Sequence, residues 1–173
     1  SENHISYGCD APKHYYPKEG DLTLPMAWAK TDGYHAENER TIIIGGASEF
    51  KNHAYDSMLH AREAVFSILK PGILFKELYF AAAKVYSDAG FENILPGRIG
   101  HGCGCSAHEF PSLAPNNEIP LAPGMVITIE PGLMDKKWGG VRHSDTVLIT
   151  EDGYERLTKL DNGRIVIHPT HQA

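Results

Sequence analysis

The run Met125-Val126-Ile127-Thr128-Ile129 does most to limit what this chain can fold into. Pro123-Gly124 precedes it and Pro131-Gly132 follows it, so strong breakers bound it on both sides. So short a run, rich in β-branched residues, reads as a strand rather than a helix. Being nearly all apolar, it belongs inside a sheet, buried on both faces. Glu130 ends it. A carboxylate at the end of a buried strand is costly unless it is paired, hydrogen-bonded or bound to metal. The plainer reading is a turn carboxylate pointing into water.

The other elements arrange themselves around that strand. Asp21 to Trp28 follows the turn Lys18-Glu19-Gly20 and reads as extended. Asp32-Gly33 is a hairpin signal, and the return strand runs from Tyr34 to Ile44, ended by Gly45-Gly46. Two helices follow. The first spans about Glu49 to Leu69 after Ser48 as N-cap, with Tyr55, Met58, Leu59, Val65, Phe66 and Leu69 at helical spacing. Pro71-Gly72 breaks it, and the second spans about Phe75 to Ala89, with Gly90 at C′. Past the central strand, Val141 to Thr150 carries the strand Thr146–Thr150, and Arg156-Leu157-Thr158 closes the unit after the turn Glu151-Asp152-Gly153. The order ββ-αα-βββ predicts an α+β fold with helices covering one face of a sheet.

A length of 173 residues suits a single domain, residues 1–173. The formal charge of −6 and pI near 5.9 argue against nucleic acid or an anionic membrane as main partner. No apolar run approaches the roughly 18 to 20 residues needed to span a bilayer. Cys9, Cys103 and Cys105 form no disulfide framework, which with the lack of a visible signal peptide leads us to expect a cytoplasmic protein. The chain opens on Ser1 in apparent mid-strand, as a piece of a longer protein would.

Four constellations are candidates for chemistry. The densest is Gly100-His101-Gly102-Cys103-Gly104-Cys105-Ser106-Ala107-His108-Glu109-Phe110-Pro111. Alternating glycines let backbone approach a ligand closely, although a Gly-rich turn with a solvated histidine would look the same. Glu130 is the second. In Tyr34 to Thr41, Glu37, Glu39 and Thr41 share one strand face, and an exposed, salt-bridged face is the favoured reading of that strand alone. Arg142-His143-Ser144-Asp145, between a glycine pair and a β-branched strand, is either cleft lining or a polar strand end.

Taken together and in order, Gly100–Gly104, His108–Pro111, Glu130-Pro131-Gly132 and Gly140-Val141-Arg142 resemble the successive signatures of the creatinase/aminopeptidase family, which includes proline aminopeptidase and prolidase. Gly33-Tyr34 through Arg40-Thr41 is similar to its hairpin signature. The resemblance implies the pita-bread fold, a curved antiparallel sheet covered by helices, with the N-terminal part of the fold absent. It also implies two divalent metals held by two aspartates, a histidine and two glutamates. His101 and Glu130 match the histidine and one glutamate. Glu37 falls on one aspartate, Met26 on the other, and Ser144 on the last glutamate. A thioether and a hydroxyl cannot bridge two hard cations. The expectation is therefore a single Zn²⁺-, Mn²⁺- or Co²⁺-like ion on Glu37, His101 and Glu130, or none.

Three readings follow from the resemblance. The leading one is an Xaa-Pro aminopeptidase or dipeptidase acting on peptides, with His108, Glu130 and Arg142 at the reaction and His101, His108 and Glu37 around the substrate. The second is a metal-independent, creatinase-like hydrolase of a small C–N substrate, with His14 as general base. The third is a binding protein that has lost catalysis. Arg40 matches a structural arginine. A sheet short of part of its cover further predicts a homodimer.

Overall fold

In the computed structural model, which describes residues 16–168, proline and glycine punctuation decides where strands change sheets. Strands β1 (Leu22–Thr23) and β2 (Met26–Thr31) are one extended segment interrupted at Pro25, which has no N–H for a ladder. The return segment is likewise two strands, β3 (Tyr34–Glu39) and β4 (Ile42–Ile44), rather than one run to Ile44. The breaks face each other, and the Arg40 N–H donates to the Pro25 carbonyl at 3.3 Å. Between β2 and β3, Asp32 and Gly33 both take positive φ, as the tight hairpin requires.

Helix α1 (Glu49–Ile68) starts where the Ser48 hydroxyl accepts from the Lys51 N–H, and α2 is Phe75–Asp88. Both ends fall within a residue of those read from spacing. Each helix buries one stripe, Tyr55, Met58 and Val65 on α1 and Phe75, Leu78, Ala82 and Tyr86 on α2. Full burial of each large apolar side chain contributes roughly 1.5–3 kcal/mol.

The remaining strands are β5 (His101–Gly102), β6 (Glu109–Ser112), β7 (Val126–Ile129), β8 (Gly132–Asp135), β9 (Gly139–Arg142), β10 (Ser144–Ile149), β11 (Tyr154–Arg156) and β12 (Ile165–Ile167). The main sheet runs β2-β3-β10-β7-β5-β6, with β11 added on β10, and its pairings are antiparallel. β8 and β9 form a separate hairpin, and β4 pairs antiparallel with β1 but parallel with β12. The central apolar run is β7, flanked on both sides as its composition requires. The strand read at Thr146–Thr150 is β10, which begins two residues earlier at Ser144, and Val141 and Arg142 belong to β9; the chain breaks between the two at His143, whose ring is buried against Tyr55. No helix of the described residues is long and apolar enough to cross a membrane.

Register sorts the polar residues by face. Asp145 lies opposite both Asn38 and Ile129, and this face packs on α1, whose Arg62 reaches the Ile129 and His143 carbonyls at 3.2 and 2.9 Å. The other face carries Glu37, Glu39, Ser144, Thr146 and Thr128.

His143 gives the fold a pH dependence. The Tyr55 hydroxyl donates to the Thr41 carbonyl at 2.7 Å, so toward His143 Nε2, 3.0 Å away, it accepts. Burial, with Arg62 and Arg40 nearby, pushes the imidazole pKa down to about 3. The unfolded chain therefore takes up a proton below about pH 6.5 that the folded chain refuses until about pH 3. Stability is fully present above that window and falls as pH drops through it. At pH 5 the loss from this one group is about 2 kcal/mol. Urea midpoints at pH 7 and pH 5 should fall less in His143→Gln than in the wild type; equal falls would refute the assignment.

Candidate active site

Four neighbouring strands bring the sequence candidates to one face. Glu37 and Glu39 come from β3, Ser144 from β10, Glu130 from the residue after β7, and His101 from β5. Glu39 sits directly opposite Ser144, and continuing the β10–β7 register by one residue puts Glu130 in the same row. Carboxylate oxygens of Glu37, Glu39 and Glu130 lie within 4.8 Å of one another, and so do ligand atoms of Glu37, His101 and His108. The exposed strand face favoured for Tyr34–Thr41 is thus corrected. Glu37, Glu39 and Arg40 are all buried.

Threonine hydroxyls fix these residues by binding their backbones. Thr146 Oγ1 accepts from the Glu37 N–H at 3.0 Å and donates to the Glu37 carbonyl at 2.9 Å. Thr41 Oγ1 does the same for Arg142, at 2.8 and 2.9 Å. Thr128 Oγ1 accepts from the His101 N–H at 3.1 Å. Gly100 explains the glycine before His101, because a Cβ there would lie 2.1 Å from the Thr128 carbonyl oxygen of β7.

His101 defines the chemistry. Its Nδ1 lies 2.9 Å from the Gly102 carbonyl, which can only accept, so Nδ1 carries the proton. Nε2 then presents a lone pair, and burial holds the ring's pKa below its ordinary value. That nitrogen is buried with no hydrogen-bond partner, 3.4 Å from Glu130 Oε1 and 3.6 Å from Glu37 Oε2. With the ring neutral these contacts are not ion pairs. A lone pair and two carboxyl groups converge there, and a cation shared among them would satisfy all three.

The carboxylates are unequal. Burial raises Glu130 well above the usual carboxylate range, and Arg142 only partly offsets this. Burial raises Glu39 too, although its two oxygens receive the Arg142 guanidinium, Nη2 to Oε1 at 2.7 Å and Nε to Oε2. Arg142 Nη1 is 3.8 Å from Glu130 Oε2, so this guanidinium stands between the Glu39 and Glu130 carboxylates. Glu37 Oε1 accepts from the Ser144 hydroxyl at 2.5 Å.

These side chains open on a cleft of about 800 Å³ lined by Met26, Trp28, Arg98, His108, Met134 and others. His108 is exposed, its ring 4.3 Å from that of His101 and edge-on to Trp28 at 5.8 Å. Met26 sits on the cleft wall, opposite Glu39 in the β2–β3 register. Arg40 is not at the site, since it donates to Asp145 and to the Glu39, Ser144, Leu160 and Asp161 carbonyls. The Cys103 thiol donates to the His35 carbonyl at 3.1 Å, and Cys105 is exposed. His14 lies outside the described residues. The sequence reading left Glu39 and the three threonines out of the site. Glu39 shares a period-2 face with Glu37, a signal that was legible. The threonines act through backbone contacts that only register reveals.

Known proteins resemble this chain over most of its length. The chain is 39% identical over 144 residues to an Xaa-Pro dipeptidase of Pyrococcus furiosus, covering 83% of this chain and 41% of that protein. The structure of a prolidase from Pyrococcus horikoshii superposes with a TM-score of 0.83 at 37% identity, over 86% of this chain and 43% of that one. Dipeptidase PepE from Mycobacterium ulcerans gives a TM-score of 0.84 at 30% identity, over 88% and 41%. The fold is thus the pita-bread fold, and the chain spans about two fifths of the length of these relatives. The profile of metallopeptidase family M24 matches residues 2–151, and the chain belongs to that family.

Proposed function

We propose that this chain carries the hydrolytic site of an Xaa-Pro dipeptidase-like enzyme, working with a single divalent ion on Glu37, His101 and Glu130. The observation that carries the reading is the bare, buried Nε2 of His101 between two carboxylates. Such a donor set suits Zn²⁺ or Mn²⁺. A second ion lacks support, because Met26 and Ser144 stand where further carboxylates would be needed.

A bound divalent ion supplies Lewis acidity and a water that is nucleophilic near neutral pH. The chain's own residues do the rest. Glu130 takes the proton of the attacking water and passes it to the leaving amine, a role suited to a carboxylate whose pKa burial has raised. Glu37 is aimed by the Ser144 hydroxyl, and Arg142, gripped by Glu39, holds the far oxygen of Glu130. His108, at the open edge of the site, donates to the developing oxyanion.

Elemental analysis of the metal-loaded chain should find about one ion per chain. The double variant Met26→Asp/Ser144→Glu should move that ratio toward two. Two ions in the unaltered chain, or none together with no peptide cleavage, would remove this reading. The metal-independent alternative is favoured by one observation, the three clustered carboxylates of Glu37, Glu39 and Glu130, which would also receive a cationic substrate group. Activity that survives a chelator would select it.

A further inference from the structure

The ion cluster between α1 and the sheet is short of one negative charge. Arg40 and Arg62 are both buried, and among the described residues each has Asp145 as its ion-pair partner. Two guanidiniums thus share one carboxylate. The side-chain amide of Asn162 stands where a second carboxylate would balance them. Its Oδ1 accepts from Arg40 Nη2 at 3.0 Å and from Arg62 Nη2 at 3.4 Å. A neutral amide is the weaker acceptor for a cation, and a carboxylate in its place would make charge-assisted bonds.

The same contacts prepare that amide for reaction. Gly163 follows Asn162, and a residue without Cβ leaves its backbone nitrogen free to close on the preceding side chain. The Gly163 N–H donates to Asp161 Oδ1 at 2.9 Å, so an acceptor for its proton is already in place. The two guanidiniums donate to the oxygen that gains charge when the amide carbon is attacked, as donors to an oxyanion do. Asn162 and Gly163 also line a second cleft of about 540 Å³, through which water reaches them.

We infer that Asn162 is a self-modification site, which the chain converts to aspartate to give the Arg40–Arg62–Asp145 cluster its second carboxylate. The Gly163 nitrogen bonds to Asn162 Cγ and its proton passes to Asp161. The bond from Cγ to Nδ2 breaks, and Nδ2 leaves as ammonia with that proton, closing a cyclic imide. Water then adds at Cγ, the carbonyl that the guanidiniums polarise, and breaks the bond from Cγ to the Gly163 nitrogen. The backbone is restored with aspartate at this position. The sum is amide plus water giving carboxylate plus ammonium, with no change of oxidation state.

The test incubates the full chain and a free peptide of residues 159–165 in heavy-oxygen water at neutral pH, with mass spectrometry of both. In the full chain Asn162 should exchange NH for a solvent oxygen at least about 10-fold faster than in the peptide, since a placed base or oxyanion donor typically supplies roughly 100-fold or more. The product should be almost all aspartate, whereas the peptide, with neither imide carbonyl polarised, should also give isoaspartate. Gly163→Ala should slow the conversion and keep the fold, because an added Cβ there meets nothing nearer than Asp161 Oδ1 at 3.4 Å. Asn162→Asp, the product made directly, should have a higher urea midpoint than fresh wild type, and aged wild type should move toward it. Conversion in the folded chain no faster than in the peptide, or isoaspartate as its main product, overturns the proposal. So does an Asn162→Asp midpoint no higher than that of fresh wild type.

Discussion

Asp145→Asn should destabilise the chain by about 3–5 kcal/mol, the scale for breaking a buried ion pair from one side. Asp145 is fully buried and accepts from Arg62, from Arg40 at 2.7 Å and from the Thr158 hydroxyl at 2.5 Å. Both arginines are themselves buried. Burial opposes the charge of Asp145, but the two guanidiniums and the hydroxyl hold its pKa below the ordinary carboxylate value. Asparagine keeps the shape and removes the charge, leaving two cations in the interior with no counter-ion. The network also spans three parts of the chain, since Arg62 is on α1, Asp145 on β10, and Arg40 reaches the Leu160–Asn162 segment. Urea unfolding measures the loss. Adding Arg62→Met to Asp145→Asn should recover part of it, because the second change removes one stranded cation. A single variant within about 1 kcal/mol of the wild type would refute this account.

His101→Gln should have the opposite profile, with a large effect on metal binding and a small one on the fold. Its Nε2 satisfies nothing in the folded chain, so only the Nδ1–H bond to the Gly102 carbonyl is at stake. Without metal, the variant's urea midpoint should correspond to a stability within about 1 kcal/mol of the wild type. With Mn²⁺ or Zn²⁺ at 100 times its dissociation constant, the wild type should gain about 2.7 kcal/mol, and the variant should gain nothing measurable. Affinity should fall by more than the roughly 10- to 100-fold typical when an outer partner of a metal ligand is lost. An equal metal-induced gain in both proteins would remove His101 from the ligand set, and this readout needs no turnover.

The two residues differ in what surrounds them, and that difference separates what was legible in the sequence from what was not. His101 stood out because glycines flank it, and Glu130 because it ends an apolar strand; local chemistry marks both. Glu37 stood out only by matching a family position, and by pattern alone its strand reads as exposed. The burial of that strand is made by β10 and by the threonine hydroxyls across from it, more than a hundred residues away in sequence. Asp145 gave a weaker signal, being one polar residue among four. Only pairing places it on the α1 face while its neighbour Ser144 turns to Glu37 on the other.

The sequence by itself determined the helices, the central strand, the family and two of the candidate site residues, because periodicity, breakers and motif spacing are local properties of the chain. The tertiary structure alone decided that Glu37, Glu39, His101 and Glu130 converge, that Arg142 is committed to Glu39, and that the Tyr34–Ile44 run divides between two sheets. Those outcomes depend on strand register. A shift of a single residue would turn every one of these side chains to the opposite face, and no local pattern encodes which register is adopted.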